Sequence, residues 1–187
     1  MTTTKRKAGD ATRECGERIA RFASPATRLL LAGDGLTTRS LQAWASAVLT
    51  VGSLAWRVRD RHGLPVGMAA DVLGEHERLV VRRSTLVDPA GAVWSANEVV
   101  GRLDLDARAT ACLQGPGPLG PALLEAGVSG GRSLLDVGRM PWPLAPGARA
   151  AAYRLCLLRH GDEPLCVVRE IFNPALIETG LRPEWRR

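Results

Sequence analysis

The clearest pattern in the chain is the alternation of apolar and polar positions in two long segments. The run "ERLVVRRSTLV" is followed by Asp88-Pro89-Ala90-Gly91 and then by "AVWSANEVVGRL". Because Asp, Pro and Gly at these offsets favour a type I turn, the pattern predicts a β-hairpin over residues 77–102. The segments "AYRLCLLR" and "PLCVVREIF" alternate in the same way and predict a second hairpin around residues 160–163.

The remaining segments are shorter and predict helices between and before the strands. The spacing of Ile19 and Phe22 predicts an N-terminal helix that ends before Pro25. Imperfect alternation predicts a strand around residues 47–60, and "RSLLDVGR" fits a strand or a short helix. Strands that arrive as hairpins favour a single antiparallel sheet with helices on one face, so the expected fold class is α+β.

Length and composition set the domain organisation that we expect. A chain of 187 residues is long enough for one domain with a sizeable core. We therefore expect a single domain over residues 1–187, with a tail and helix at residues 1–27 and a C-terminal tail at residues 175–187. No internal repeat or low-complexity linker interrupts the sequence.

Composition indicates a soluble protein without a bound metal. Apolar residues make up 45% and charged residues 24% of the chain, and no apolar run is long enough to span a membrane. The start "MTTTKRKAGD" is not followed by an apolar segment, so we expect no secretory signal and a cytoplasmic location. The four cysteines lack C-x-x-C spacing and the three histidines are scattered, which predicts reduced thiols and no structural zinc.

The formal charge of +6 raises the question of a nucleic-acid partner. The positive residues are mostly single arginines spread along the chain, and aromatic residues make up only 4%. A stacking platform for bases is therefore absent from the sequence pattern. The charge therefore indicates a solvated basic surface with basic tails, and we expect neither a nucleic-acid nor a membrane partner. A net positive field would also suit an anionic small-molecule substrate.

Two opposite charges in apolar strands are the candidate chemistry. Arg83 shares its strand face with Leu79, Val81, Thr85 and Val87, and Glu170 shares its face with Cys166, Val168 and Phe172. If the turn pairs Val87 with Ala92, then Trp94 and Glu98 join the face of Arg83. This placement predicts a cavity against the sheet. The alternative is a buried Arg83–Glu170 or Arg83–Glu98 ion pair that only fixes strand register.

A third feature is the segment "PLG" at residues 118–120. A proline before a helix leaves the first amides of the helix unpaired, and free N–H groups at a helix start attract anions. The alternative is a helix start that binds only water. The G-x-x-x-x-G-K-[ST] motif does not occur, so a phosphate loop is excluded. The segments "GVSGG" at residues 127–131 and "GPGPLG" at residues 115–120 have the spacing of G-x-S-x-G and G-x-G-x-x-G. Neither stands between a predicted strand and a predicted helix, so we expect no nucleophile elbow and no dinucleotide fingerprint.

The order of five segments resembles the chorismate lyases, also called chorismate–pyruvate lyases. The segments are "RLLLAGDGLTTRSLQ", "VVRRSTLVDPAGAVW", "PLGPALLEAG", "RSLLDVGR" and "EPLCVVREIFNP", and they cover about residues 28–174. The resemblance implies an antiparallel sheet with an internal ligand cavity under two flap loops. It implies elimination of pyruvate from chorismate to give 4-hydroxybenzoate, without metal or organic cofactor, in quinone biosynthesis or a specialised pathway.

The resemblance also assigns roles to individual residues. Arg83 would hold the substrate carboxylate and the PLG residues Leu119 and Gly120 would add a backbone anchor. Glu170, kept protonated by its apolar neighbours, would act as the acid at the departing ether oxygen. Leu36 would be the apolar residue of the first flap.

One departure from the family leaves a second function open. An arginine of the lyases is replaced here by Glu98, which would compete for Arg83, while Arg139 would supply compensating charge. The alternative is a non-catalytic module that binds a small aromatic acid, like the effector-binding domains of bacterial transcription regulators that share the fold. Because about 28 residues precede the match, too few for a helix-turn-helix domain, the enzyme is the main expectation. Its partner would be a small-molecule substrate, and the chain would be a monomer.

Overall fold

A computed structural model describes residues 8–76, 78–128, 130–145 and 149–183. These residues form one antiparallel sheet of six strands and five α-helices, which confirms the predicted α+β class. The strands are β1 (Thr50–Arg59), β2 (Leu79–Val87), β3 (Val93–Arg102), β4 (Arg132–Pro141), β5 (Ala150–His160) and β6 (Glu163–Phe172). The helices are α1 (Ala8–Ala20), α2 (Pro25–Ala32), α3 (Thr37–Ala45), α4 (Ala107–Gln114) and α5 (Leu119–Glu125).

Both predicted hairpins are present, and they meet in the middle of the sheet. The strand order is β1-β2-β3-β6-β5-β4, so β3 and β6 are the central pair. In the first hairpin the N–H of Gly91 donates to the carbonyl of Asp88 over 2.9 Å, as the turn chemistry predicts. The second hairpin turns at Gly161, whose φ of 57° lies in the left-handed region that glycine tolerates. Residue 77, where the first hairpin was predicted to begin, lies outside the described residues.

The predicted register at the first turn is wrong by one residue. Val87 pairs with Val93 rather than Ala92, and Leu86 pairs with Ser95. The extra residue between these pairs is Trp94, which forms a β-bulge. The bulge directs Trp94 into the helix-side core, and its Nε1 donates to the Asp88 side chain over 3.0 Å. Trp94 therefore does not share the face of Arg83.

The two faces of the sheet are covered differently. One face, here called the helix face, carries the five helices. Its two core clusters include Phe22, Leu31, Leu41, Leu113, Leu123, Val168 and Phe172. The other face, here called the outer face, is covered at one end by the segment between β1 and β2, from which Met68 and Leu73 pack against Val81 and Val167. The predicted arrangement of helices on one face therefore matches the structure.

The end of the described chain packs against its beginning. The Thr179 hydroxyl donates to the carbonyl of Ala150 over 2.8 Å, and Ile177 is completely buried. The N–H of Ala23 donates to the carbonyl of Gly180 over 2.8 Å. Residues 175–183 of the predicted tail thus contact the helical layer, whereas residues 184–187 and 1–7 lie outside the described residues. The extent of the domain over residues 1–187 stays a prediction.

Three general properties follow from the described residues. All four cysteines are free thiols, and Cys15, Cys156 and Cys166 are buried. None of the helices between residues 8 and 183 is long and apolar enough to cross a membrane. In the same part of the chain, no three His, Cys, Asp or Glu side chains are grouped closely enough to hold a metal ion.

Candidate functional site: a cavity on the helix face

A row of polar side chains crosses the helix face of the sheet. Ser84 pairs with Asn97, Asn97 with Glu170, and Glu170 with Arg154, across β2, β3, β6 and β5. Directly opposed residues on antiparallel strands have Cα atoms about 4.5–5.5 Å apart, so their side chains form one continuous surface. Ser84, Asn97 and Glu170 from this row line an inner cavity.

The starts of two helices lie over this row. Leu36, Thr37 and Thr38 at the start of α3 form one wall. The opposite wall is Pro118-Leu119-Gly120 at the start of α5, and β4 contributes Arg132. The inner cavity has a volume of about 40 Å³, and an outer cavity of about 240 Å³ adjoins it. Both cavities contact the side chains or backbone of Leu36, Gly120, Arg132 and Leu158, so these residues separate the two spaces.

The constriction between the cavities is tight. A Cβ atom added to Gly120 would lie 3.0 Å from Leu36 Cδ2. An inner volume of 40 Å³ holds only about three water molecules, at about 10–15 Å³ each. A ligand larger than this therefore needs Leu36 and Gly120 to move apart. The two segments are placed where flaps would be, and their opening stays a prediction.

Glu170 is held by a buried arginine that the sequence analysis did not consider. Arg154 Nε donates to Glu170 Oε2 over 2.6 Å, and the two side chains are only 1% and 9% exposed. The Nη1 group of Arg154 donates to the carbonyls of Leu30 over 2.9 Å and Gly33 over 2.5 Å. Arg154 thereby ties Glu170 to the end of α2, whose last carbonyls have no partner within the helix.

Thr37 connects this ion pair to Arg132. Its hydroxyl accepts hydrogen bonds from Arg154 Nη2 and from Arg132 Nη1, the latter over 3.3 Å, and donates to Glu170. One donated and two accepted bonds use the full capacity of a hydroxyl group. Arg132 Nη1 also donates to the carbonyl of Gly35 over 2.9 Å. The start of α3 is therefore fixed over the sheet by two guanidinium groups.

The protonated form predicted for Glu170 is wrong. Burial by itself would raise the pKa of Glu170, but the charges of Arg154 and Arg132 and the hydrogen bond from Thr37 outweigh burial, so its pKa lies below the ordinary value. At neutral pH the side chain is a carboxylate paired with Arg154. It has no proton to give to a departing oxygen, which contradicts the acid role that the resemblance to the lyases implies.

The first amides of α3 and α5 have no side-chain cap. Their N-cap residues are Leu36 and Pro118, and neither side chain can accept a hydrogen bond. Serine, threonine or aspartate at these positions would satisfy the N–H groups of the first turn. Both helices therefore present amide hydrogens at the walls of the cavity, beside the Arg132 guanidinium.

A second buried arginine shapes the loop before α5. Arg82 is 1% exposed. Its Nη1 group donates to the carbonyls of Cys112 over 3.1 Å and Gly115 over 2.9 Å. Its Nη2 group donates to the carbonyl of Gly117 over 2.6 Å. Burial lowers the pKa of Arg82 but leaves a cation that holds the PLG segment against the sheet.

The structure divides the predicted site residues into two groups. Leu36, Leu119, Gly120 and Glu170 line the inner cavity. The other three, Arg83, Glu98 and Arg139, do not, although each was predicted to hold the ligand or to modulate its binding.

Strand parity explains the positions of Arg83 and Glu98, whereas Arg139 lies outside the cavity because it is exposed on the edge strand. Arg83 pairs with Glu98 and Glu98 pairs with Arg169, so Arg83 lies on the face of Arg169, and the adjacent Glu170 points to the opposite face. Arg83 Nε donates to Glu98 over 2.7 Å on the outer face, which is the alternative ion pair considered from the sequence. Arg139 is exposed on the edge strand β4.

Three residues of the site, Arg132, Arg154 and Thr37, were not predicted from the sequence. Arg154 alternates with apolar residues in "AYRLCLLR", as Glu170 does in its strand, and this shared pattern is a signal that could have been used. Arg132 at the start of "RSLLDVGR" carries no comparable signal, because Arg139 at its end looks the same in sequence. Only the position of α3 distinguishes the two.

Comparison of the sequence with protein-family models gives no match, and comparison with curated proteins gives none either. Solved structures do match. A protein assigned to the GntR-family transcriptional regulators aligns with a TM-score of 0.56 and 14% identity, over 83% of this chain and 69% of that chain. PhnF from Mycobacterium smegmatis aligns with a TM-score of 0.56 and 11% identity, over 78% of this chain and 67% of that chain.

The effector domain of PhnF shows which part of such proteins is shared. It aligns with a TM-score of 0.55 and 11% identity, over 76% of this chain and 91% of that domain. At this identity the likeness shows the fold alone: this chain has the chorismate lyase-like fold that regulator domains also have.

The expectation of a lyase is wrong. The three solved structures described above are two transcriptional regulators and an effector domain of one of them. The geometry of the site also argues against a lyase, because Arg83 lies outside the cavity and Glu170 is a carboxylate paired with Arg154.

Proposed function

We propose that this chain is a non-catalytic module that binds a small anionic molecule in the cavity on the helix face. The observation that carries the proposal is the convergence of Arg132 with two helix starts that lack side-chain caps. Guanidinium groups and free N–H groups at helix starts both favour a carboxylate or phosphate. The effector domain that shares the fold supports binding rather than turnover.

The balance of charge supports an anion. Arg132 and Glu170 line the cavity, and Arg154, which pairs with Glu170, lies behind the lining, so two positive charges and one negative charge lie in or beside it. The Arg132 side chain donates only to a backbone carbonyl and a hydroxyl among the described residues, so no carboxylate of that part neutralises it. A ligand carboxylate would meet the Arg132 guanidinium, which has no salt bridge of its own among the described residues, in a confined space where the attraction is stronger than in bulk water.

The floor of the cavity supports a ligand with a second polar group. Ser84 and Asn97 line the cavity. Neither side chain has a hydrogen-bond partner among the described residues. The apolar side chains of Val99 and Val168 lie on the Arg132 side of this polar row, and Leu86 lies on its other side. A flat, apolar body with an anion at one end and a hydroxyl group at the other fits this order, as in a hydroxybenzoate.

Calorimetric titration with 4-hydroxybenzoate tests the proposal. We expect saturable binding, and we expect Arg132→Gln to weaken it by about tenfold to a hundredfold, because a charge-assisted hydrogen bond contributes about 1.5–3 kcal/mol. The neutral amide 4-hydroxybenzamide should bind more weakly than the acid to the wild type but about equally to Arg132→Gln.

Arg139→Gln is the matched control, since Arg139 is on the same strand but exposed and outside the cavity. It should bind 4-hydroxybenzoate like the wild type. Equal affinity of the wild type and a folded Arg132→Gln variant for every carboxylate tested would refute an anion site at Arg132. Release of pyruvate from chorismate by the wild type would refute the non-catalytic role.

A further inference from the structure

The outer face of the sheet carries a groove that shares only Ser84 and Asn97 with the lining of the helix-face cavity. Its apolar part has a volume of about 280 Å³ and is lined by Leu54, Ala55, Ala96, Pro143, Leu144 and Ile171, among others. An adjoining part of about 190 Å³ is lined by Ala55, Arg57, Arg59 and Val81, among others. Arg83 contacts both parts and therefore stands at their junction. The groove is apolar at one end and cationic at the other.

The cationic end has more positive charge than the acidic residues there neutralise. Glu98 accepts hydrogen bonds from Arg83 and from Arg169, so one carboxylate serves two arginines. In the described part of the chain, no salt bridge joins Arg57 or Arg59 to a carboxylate. Arg57 pairs with Val81, two residues from Arg83 on β2, so the two guanidinium groups are diagonal neighbours on one face.

Arg83 itself retains unused donors. Its Nε is bound to Glu98 over 2.7 Å, and its side chain is 67% exposed. Its two Nη groups have no hydrogen-bond partner in the described residues. A guanidinium held by one bond and open at its outer edge is preorganised to bind a carboxylate or phosphate in bidentate geometry.

We propose that this outer groove is a second ligand site, which binds an amphipathic anion with an apolar tail and a carboxylate or phosphate head group. The head group pairs with the Nη groups of Arg83 and with Arg57. The tail lies along Ala96 and Ile171 under Leu144. The proposal rests on charge and polarity along the groove and is independent of the function proposed for the helix-face cavity.

The polarity of the groove selects this occupant over a second copy of the chain. Apolar and cationic parts follow each other along one continuous groove, which matches a single molecule with one charged end. A second copy would have to bring a carboxylate to Arg83 beside an apolar group for Leu144. An interface between copies is therefore an outcome of the test and not the proposal.

Decanoate, below its critical micelle concentration, is the probe, and calorimetry on the full chain is the measurement. We expect one decanoate per outer groove, with binding about tenfold weaker in Arg83→Gln, which corresponds to about 1.4 kcal/mol. Leu144→Ser should also weaken binding, because it removes apolar surface from the tail position. Decanol, which has the same tail without the charge, should bind Arg83→Gln and the wild type equally.

Controls separate this site from the helix-face cavity. Arg139→Gln should bind decanoate like the wild type, and Arg83→Gln should bind 4-hydroxybenzoate like the wild type. The proposal is overturned if folded Arg83→Gln and Leu144→Ser both retain wild-type affinity for decanoate, or if 4-hydroxybenzoate displaces decanoate. It is also overturned if sedimentation shows a dimer that Arg83→Gln dissociates while decanoate binding is unaffected, since the groove would then be an interface between copies.

Discussion

Replacing Arg154 by methionine tests whether the buried ion pair holds the floor of the cavity. Methionine keeps the apolar stem of the side chain but removes the guanidinium, which donates to Glu170, to Thr37 and to the carbonyls of Leu30 and Gly33. Glu170, only 7% exposed, would remain in the core without its main cation. Removing one partner of a buried pair costs about 3–5 kcal/mol, because the other charge is left uncompensated.

The pH dependence of this variant distinguishes charge from packing. In the wild type the pKa of Glu170 is below its ordinary value of 4.5, so the pair stabilises the fold fully above that pH and loses its effect as pH falls through the lower, folded-state pKa. In Arg154→Met, burial raises the pKa of Glu170 in the folded state. Protonation on acidification then relieves the unpaired charge, so the stability difference from the wild type shrinks as the pH falls from neutral toward 4.5, by at most about 1.4 kcal/mol per pH unit.

Urea unfolding at several pH values measures both effects. Glu170→Gln and the double variant complete a double-mutant cycle, and the double variant should lose less stability than the two single losses combined. Arg139→Met, an exposed arginine on the neighbouring strand, should change the free energy of unfolding by less than about 0.5 kcal/mol. A loss below about 1 kcal/mol for Arg154→Met, or a loss that does not vary with pH, would refute the anchoring role of the pair.

Two further predictions concern the constriction and the core. Gly120→Val should weaken 4-hydroxybenzoate binding about tenfold in calorimetry, because the added side chain presses on Leu36. Gly117→Ala is the control and should bind like the wild type, because a Cβ atom added there meets no atom within 4 Å. Equal affinities of Gly120→Val and the wild type would show that the constriction does not control access. Burial raises the pKa of the Cys166 thiol to about 12, whereas Cys112 is only partly buried. N-ethylmaleimide should therefore label Cys112 in the folded protein and Cys166 only on unfolding. Labelling of both cysteines at the same rate in the folded protein, followed by mass spectrometry, would contradict this.

The strands and their antiparallel pairing could be predicted because their signals are local. Alternation of apolar and polar residues identifies a strand, and Asp88, Gly91 and Gly161 supply the turn chemistry between neighbours. The same local pattern correctly separated the residues of β2 and β6 into two sets, but it placed Trp94 on the wrong face of β3. It also found Glu170 as an unusual charge in an apolar strand, and the PLG segment as a helix start.

Tertiary structure decided which set faces the helices and which residues meet. A bulge at Trp94 changes the register next to the first turn, and the pairing of Glu98 with both Arg83 and Arg169 places Arg83 on the outer face. Alternation alone cannot choose between the faces, because a shift of one residue reverses every side chain of a strand. Arg154 is a partner of Glu170 only because β5 pairs with β6, and its other contacts come from a helix more than a hundred residues earlier in the chain. The charge state of Glu170, and with it the choice between catalysis and binding, depends on those distant contacts and could not be read from its own strand.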